Sequence, residues 1–183
     1  MASFVSSYIP TQASQVTRAA DNISILTSAF PWTNAQGTMV ADFTPVYADN
    51  GLAIEFMAFT AYTTNIHFIQ AFINTTTTRA GQPSFQYRNS TSVLVLGGAN
   101  DLSPPNPGQQ KWGLSFEASS IFRTSRQGLA LGAEAALVVT ASPVTLWLGS
   151  SINGTLSING HIKRFAHYAS LKSQAELNTL TAL

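Results

Sequence analysis

Polar and apolar residues alternate along most of this chain. In "GTMVADFTPVY", Met39, Ala41 and Phe43 stand against Thr38, Val40, Asp42 and Thr44. That period of two predicts a strand with one face on a core. "GLAIEFMAFTAYTTNIHFIQAFINTTTT" is rich in β-branched and aromatic residues, and divides into two or three strands with a turn near Thr63 to Asn65. "PSFQYRN", "TSVLVLGG", "KWGLSFEAS", "SIFRTSRQGLAL", "AALVVTAS" and "VTLWLGS" read as further short strands. Gln127-Gly128, Asn153-Gly154 and Asn159-Gly160 read as turns between them. "DLSPPNPGQQ", with three prolines and a glycine, is a loop. Only "SLKSQAELNTLTAL" carries a helical signature: Ser173 caps it, Glu176 completes a capping box, and Leu177 and Leu180 follow.

Many short strands punctuated by turns predict an all-β antiparallel sandwich or jelly roll, closed by one short C-terminal helix. The 183 residues suffice for one domain with a substantial core. No internal boundary or repeat is visible. The last strand, around "NGHIKRFAHY", departs from alternation because Ile162 and Phe165 are three apart. A β-bulge at Lys163 and Arg164 brings both apolar side chains to the core face, and leaves His161, Lys163 and Arg164 facing solvent or a neighbouring chain.

Composition narrows the chemistry. Nine basic and eight acidic residues give a net charge of +1, so there is no electrostatic case for nucleic acid or an acidic membrane surface. The charged fraction is 9%, and 20 Ser and 20 Thr supply the polarity instead. Such a surface carries little repulsion between copies, which favours self-association. The absence of cysteine excludes disulfides, thiolate metal sites and thiol nucleophiles. No secretory leader and no membrane-length apolar run is visible, so no membrane insertion is expected. The eight acidic residues lie far apart in sequence, with no closely spaced Glu/Asp pair of the kind sandwich-fold glycosidases use. No Gly-x-Ser-x-Gly elbow is present, and the three histidines, His67, His161 and His167, do not have metal-ligand spacing. The expectation is a protein that is not an enzyme.

"TLWLGSSINGTLSINGHIKRFAHYASLKSQAELNTLT" resembles the end of concanavalin A-like, laminin-G-like β-sandwich domains, with Leu146-Trp147-Leu148-Gly149, a glycine-led strand from Gly160 to Tyr168, and a leucine-led helical turn from Leu171 to Leu180. "SSYIPTQASQVTRAAD" resembles a segment that precedes such domains in bacteriophage tail-fibre and other virion proteins, and "KWGLSFEASSIFRTSRQGLALG" fits the family's hairpin. The resemblance implies a concanavalin A-like β-sandwich (jelly roll) over residues 21–183, with residues 1–20 as an extended segment packing on it. It also implies a virion surface protein: a tail-fibre-type receptor-binding module recognising host surface carbohydrate or, as the alternative, a capsid decoration (cement) protein. Implied partners are other virion proteins and further copies of the chain, with a homotrimer favoured.

Candidate site residues follow. In "VTLWLG", alternation turns Val144, Leu146 and Leu148 to the core, and Trp147 outward with Thr145. An outward tryptophan serves as a sugar platform or a subunit contact, or it lies beneath a loop or the terminal helix. Thr145 and Trp147, with His161, Lys163 and Arg164, are the glycan-binding or subunit-interface candidates. Trp32 reads as a packed anchor before a strand, and Trp112 as core. No cofactor is required. Many domains of this resemblance carry calcium, and Asp49 and Asn50 in "ADNG", with Asn100 and Asp101 in "GANDLS", offer oxygen ligands. Asx-Gly turn chemistry explains the same residues without a metal.

Overall fold

The structure is a computed structural model that describes residues 23–33, 35–45, 56–64, 67–74, 82–88, 93–96, 108–117, 121–133, 135, 143–151 and 160–183. Eleven strands, one α-helix and a short 3-10 helix (Thr27–Ala29) are described: β1 (Ile23–Leu26), β2 (Gln36–Pro45), β3 (Phe56–Thr64), β4 (His67–Asn74), β5 (Gln82–Arg88), β6 (Val93–Leu96), β7 (Gln110–Glu117), β8 (Ile121–Arg126), β9 (Leu129–Ala130), β10 (Thr145–Leu148), β11 (Gly160–Tyr168) and α1 (Gln174–Thr181). The strands form two antiparallel sheets, one of six in the order β1-β10-β3-β4-β5-β6 and one of five in the order β11-β2-β7-β8-β9. This is the two-layer sandwich that the alternation predicts.

The core lies between the sheets. Met39, Ala41 and Phe43 of β2 meet Phe59 and Ala61 of β3, Ile69 of β4, Phe85 of β5, and Trp112, Leu114 and Phe116 of β7. The rings interlock edge to face, with Phe43 and Trp112 centroids 4.9 Å apart and Phe59 and Phe165 centroids 5.5 Å apart. Such pairs add packing specificity to the burial itself. Trp32 packs on the same core from the segment before β2.

The bulge in the last strand is present. Ile162 pairs with Phe43 and Arg164 with Asp42, so Lys163 is the extra residue. Ile162 and Phe165 both pack against the core, while His161, Lys163 and Arg164 are exposed. The β8–β9 hairpin turns at Gln127 (φ 49°) and Gly128 (φ 82°), two left-handed residues that match the twist of a tight hairpin. α1 begins with the expected capping box: the Ser173 hydroxyl accepts from the Glu176 amide, and the Glu176 carboxylate accepts from the Ser173 amide. The residues before α1 dock through Thr38, whose hydroxyl donates to the Ser170 carbonyl and accepts from the Lys172 amide.

α1 lies on the outer face of the five-stranded sheet. Gly113 makes this possible, because a Cβ there would stand 2.8 Å from Leu177 Cδ1 and 2.9 Å from Thr181 Cγ2. The Ser125 hydroxyl bonds Asn178 and Thr181 at 2.8 Å each, and Gln174 donates to the Thr124 carbonyl. One expectation fails. Val144 does not reach the core but is 51% exposed, because it precedes β10, where its backbone carbonyl accepts from Thr27 and its amide donates to Tyr62. Residues 1–20, Asn153-Gly154, Asn159 and most of the proline-rich loop lie outside the described residues.

Candidate functional site

The five sequence candidates fall into two separate groups. Trp147 and Thr145 are on β10, in the six-stranded sheet, while His161, Lys163 and Arg164 are on β11, at the edge of the five-stranded sheet. Trp147 stands on the face opposite Leu146, half-buried, with Ser24 and Thr60 as its cross-strand neighbours. The row continues from Thr60 to Gln70 and Gln86, whose amides bond each other at 2.7 Å. Thr60 and Gln70 are buried, so this strip is largely closed to a ligand.

The second group lies beside a concavity. With Lys163 bulged out, Arg164, Ala166 and Tyr168 share the outer face of β11. Arg164 pairs across the strands with Asp42 of β2, which pairs in turn with Lys111 of β7, so two cations flank one carboxylate in a single transverse row. Two rows further on, Tyr168 lies opposite Thr38. Leu180 of α1 forms the far wall of a groove of about 100 Å3 lined by Val40, Asp42, Lys111, Arg164, Ala166 and Tyr168.

The groove's polar groups are held in place. Gln109 donates to both oxygens of Asp42 at 2.8 and 3.0 Å. The Lys111 ammonium donates to the Ala182 carbonyl at 2.7 Å, a cation at a helix C-terminus, which the helix dipole favours. The Lys172 ammonium stands 5.8 Å from the Tyr168 ring centroid. Arg164 is exposed, so its guanidinium is available to a ligand. Asp42, Lys111 and Tyr168 were not among the sequence candidates. The alternation of β2 sets Asp42 outward, and the bulge sets the parity of Tyr168. The register that joins the three strands, by contrast, is set by partners more than 60 residues apart in the chain.

A larger cavity, of about 430 Å3, lies between the two sheets at the flank formed by the edge strands β1 and β11. Its lining is apolar except for His167: Ile25, Phe30, Pro31, Leu146, Leu148 and Phe165. The His167 ring stacks on Trp32 at 5.3 Å and meets Phe30 edge-on at 4.9 Å. Both ring nitrogens are buried without a hydrogen-bond partner among the described residues. Burial holds this imidazole below its ordinary value, because the protonated form loses its hydration there. Among the described residues no three His, Asp or Glu side chains converge as metal ligands. The calcium candidates Asp49, Asn50, Asn100 and Asp101 lie outside the described residues.

No family model matches the chain, and no curated protein matches it. Solved structures do. The CBM40 module of Ruminococcus gnavus IT-sialidase bound to α2,6 sialyllactose is similar over 90% of this chain and 97% of its own, at 18% identity and a TM-score of 0.59. The receptor binding domain of botulinum neurotoxin mosaic serotype C/D is similar over 88% of this chain and 40% of its own, at 11% identity and a TM-score of 0.62. The binding domain of Paraclostridial Mosquitocidal Protein 1 is similar over 80% of this chain and 37% of its own, at 11% identity and a TM-score of 0.57. Similarity at these identities is one of fold, and with the strand order above it identifies the chain as an all-β, antiparallel concanavalin A-like sandwich of jelly-roll type with a short C-terminal helix.

Proposed function

We propose that this protein is a non-catalytic glycan-recognition module. The observation that carries the reading is the groove between β11 and α1, which gathers Arg164, Asp42 and Lys111 in one row beside the Tyr168 ring. A guanidinium donates to hydroxyl and ring oxygens and an aromatic ring packs on sugar C–H groups, while the buried Asp42 carboxylate, held by Gln109, backs the row. These groups act by binding alone. The similar fold of a sialidase CBM40 bound to sialyllactose, and of toxin binding domains, supports the same class of role. The resemblance of the N-terminal stretch to a segment that precedes such domains in tail-fibre and other virion proteins supports a place on the phage particle surface, and the sparsely charged surface supports a receptor-binding homotrimer.

The test is a glycan array with labelled protein, followed by titration of the best ligand. Arg164→Ala is expected to weaken binding about tenfold or more, since a hydrogen bond to a charged group contributes about 1.5–3 kcal/mol. Tyr168→Ala should weaken it less, and Trp147→Ala should leave it unchanged. Binding lost in Trp147→Ala but kept in Arg164→Ala moves the site to the six-stranded sheet. A folded, assembled protein that binds no glycan overturns the reading and leaves capsid decoration in its place.

A further inference from the structure

Positive charge gathers at the groove between β11 and α1. The chain has only nine Lys and Arg residues, and four of them stand at this one place. Arg164 and Lys111 line the groove, Lys163 bulges out beside Arg164, and the Lys172 ammonium lies 5.8 Å from the centre of the Tyr168 ring. A neutral sugar is served by the hydroxyls and amides in which this chain abounds. Cations drawn together at one groove point instead to a charge on the ligand.

These cations differ in what already engages them. Lys172 pairs with the Glu176 carboxylate at 3.4 Å. The Lys111 ammonium gives one hydrogen to the Ala182 carbonyl and keeps two more. Arg164 is exposed, and among the described residues its guanidinium has no hydrogen bond or ion pair. The carboxylate of the groove, that of Asp42, is already engaged: it is buried, and Gln109 donates to both of its oxygens. The row from Arg164 through Asp42 to Lys111 therefore carries two positive charges against one negative. The other acids among the described residues do not restore the balance. Glu117 lies at the far end of β7, about 20 Å from Lys111, and Glu176 is held in its capping box.

The floor suits a sugar ring. Arg164, Ala166 and Tyr168 follow one another along the outer face of β11, and Ala166, the shortest of the three, sits opposite Val40. Ala166 and Val40 thus form an apolar floor with the guanidinium at one end and the Tyr168 ring at the other. A guanidinium presents paired N–H donors in a plane, the geometry that an oxyanion accepts two at a time.

We propose that the groove recognises an acidic sugar, one that carries a carboxylate or a sulfate ester. Arg164 takes the anionic group through paired hydrogen bonds, Lys111 adds charge from across the row, and the sugar ring rests on Ala166 and Val40 against Tyr168. This inference rests on the reading of the groove as a glycan site, and adds the charge of its ligand.

A glycan array in three matched arms tests it: neutral oligosaccharides, the same chains ending in a carboxylate-bearing sugar, and the same chains bearing a sulfate ester. At least one acidic arm should bind about tenfold or more tightly than its neutral parent, and the arm that does so identifies the anion. Raising salt from about 50 to about 500 mM should weaken acidic binding several-fold and leave neutral binding unchanged. Arg164→Gln, a change at an exposed position, should bring the acidic arms down to the neutral level, while Arg164→Lys keeps part of the preference. Equal affinity for all three arms overturns the inference and leaves the glycan reading standing. An acidic preference that survives in Arg164→Gln also overturns it, because the anion then sits elsewhere. A folded protein that binds none of the arms overturns both.

Discussion

The two flanks of this sandwich are finished in opposite ways. Over β7 and β8, α1 lies close against the sheet. Leu177 and Thr181 are fully buried, Gly113 leaves room for them, and Ser125, Thr124 and Lys111 are all bonded to the helix or its end. At β1 and β11 the described elements leave an apolar strand bare, and a cavity behind it. The first flank shows how a cover is specified when it is close at hand: a capping box starts the helix, a glycine admits it, and hydroxyls pin it. The second shows the same core chemistry with no covering element among the described residues. Among the described residues the flanks therefore differ chiefly in the helix docked on one of them, and perturbing each flank measures that difference.

The largest effect is expected on the covered side. Leu177→Ala removes a fully buried side chain that sits on Gly113, and should cost about 3 kcal/mol in urea unfolding. A cost below about 1 kcal/mol would mean that α1 contributes little to the covered flank, and would erase the contrast. Next comes the cap. Ser173→Ala deletes the hydroxyl that meets the Glu176 amide and should cost about 1 kcal/mol, read as faster amide exchange through the first turn of α1.

The smallest effect belongs to the open side and depends on pH. The unfolded chain binds the His167 proton near the ordinary value of 6.5, whereas the folded flank resists it. The unfolded state therefore holds more protons below that value, and the stability tied to a neutral His167 is complete above it. It declines as pH falls from about 6.5 toward the depressed folded value. Thermal unfolding from pH 8 to pH 5 should show this as an extra downward slope in the unaltered protein that His167→Phe removes. Parallel curves would show that the imidazole is not desolvated. Glu176, held below the usual carboxylate range by its bonds from Ser173, loses its contribution only in more acidic solution, so the two flanks separate along the pH axis.

Local patterns were legible because local physics sets them. Alternation in "TMVADF" assigned Met39, Ala41 and Phe43 to the core, and the three-residue gap from Ile162 to Phe165 located the bulge. Ser173 and Glu176 marked the helix start. The same reasoning missed Val144, because alternation continues only as far as the strand, and β10 begins one residue later. It also offered Trp147 and Arg164 as one candidate set, although they belong to different sheets. Strand order depends on which distant segments pair, and no window of ten residues contains that information. The groove was illegible for this reason: Asp42, Lys111 and Arg164 meet only through the register of three strands.

That register has a consequence for how the protein is made. β2 is an inner strand, but one of its two partners, β11, pairs Gly160 with Pro45 and Tyr168 with Thr38. Likewise β1 finds β10 only when residues 145–148 exist. A ribosome releases the chain from the N-terminus, so β1 and one side of β2 wait for strands translated more than 100 residues later. Closure of such distant pairs is slow, and unpaired strands that carry core residues are prone to aggregate while they wait. A nascent chain that stalls before residue 160 leaves Met39, Ala41 and Phe43 on a strand with one raw edge. Pairing on that side of β2 therefore waits for residues 160–168.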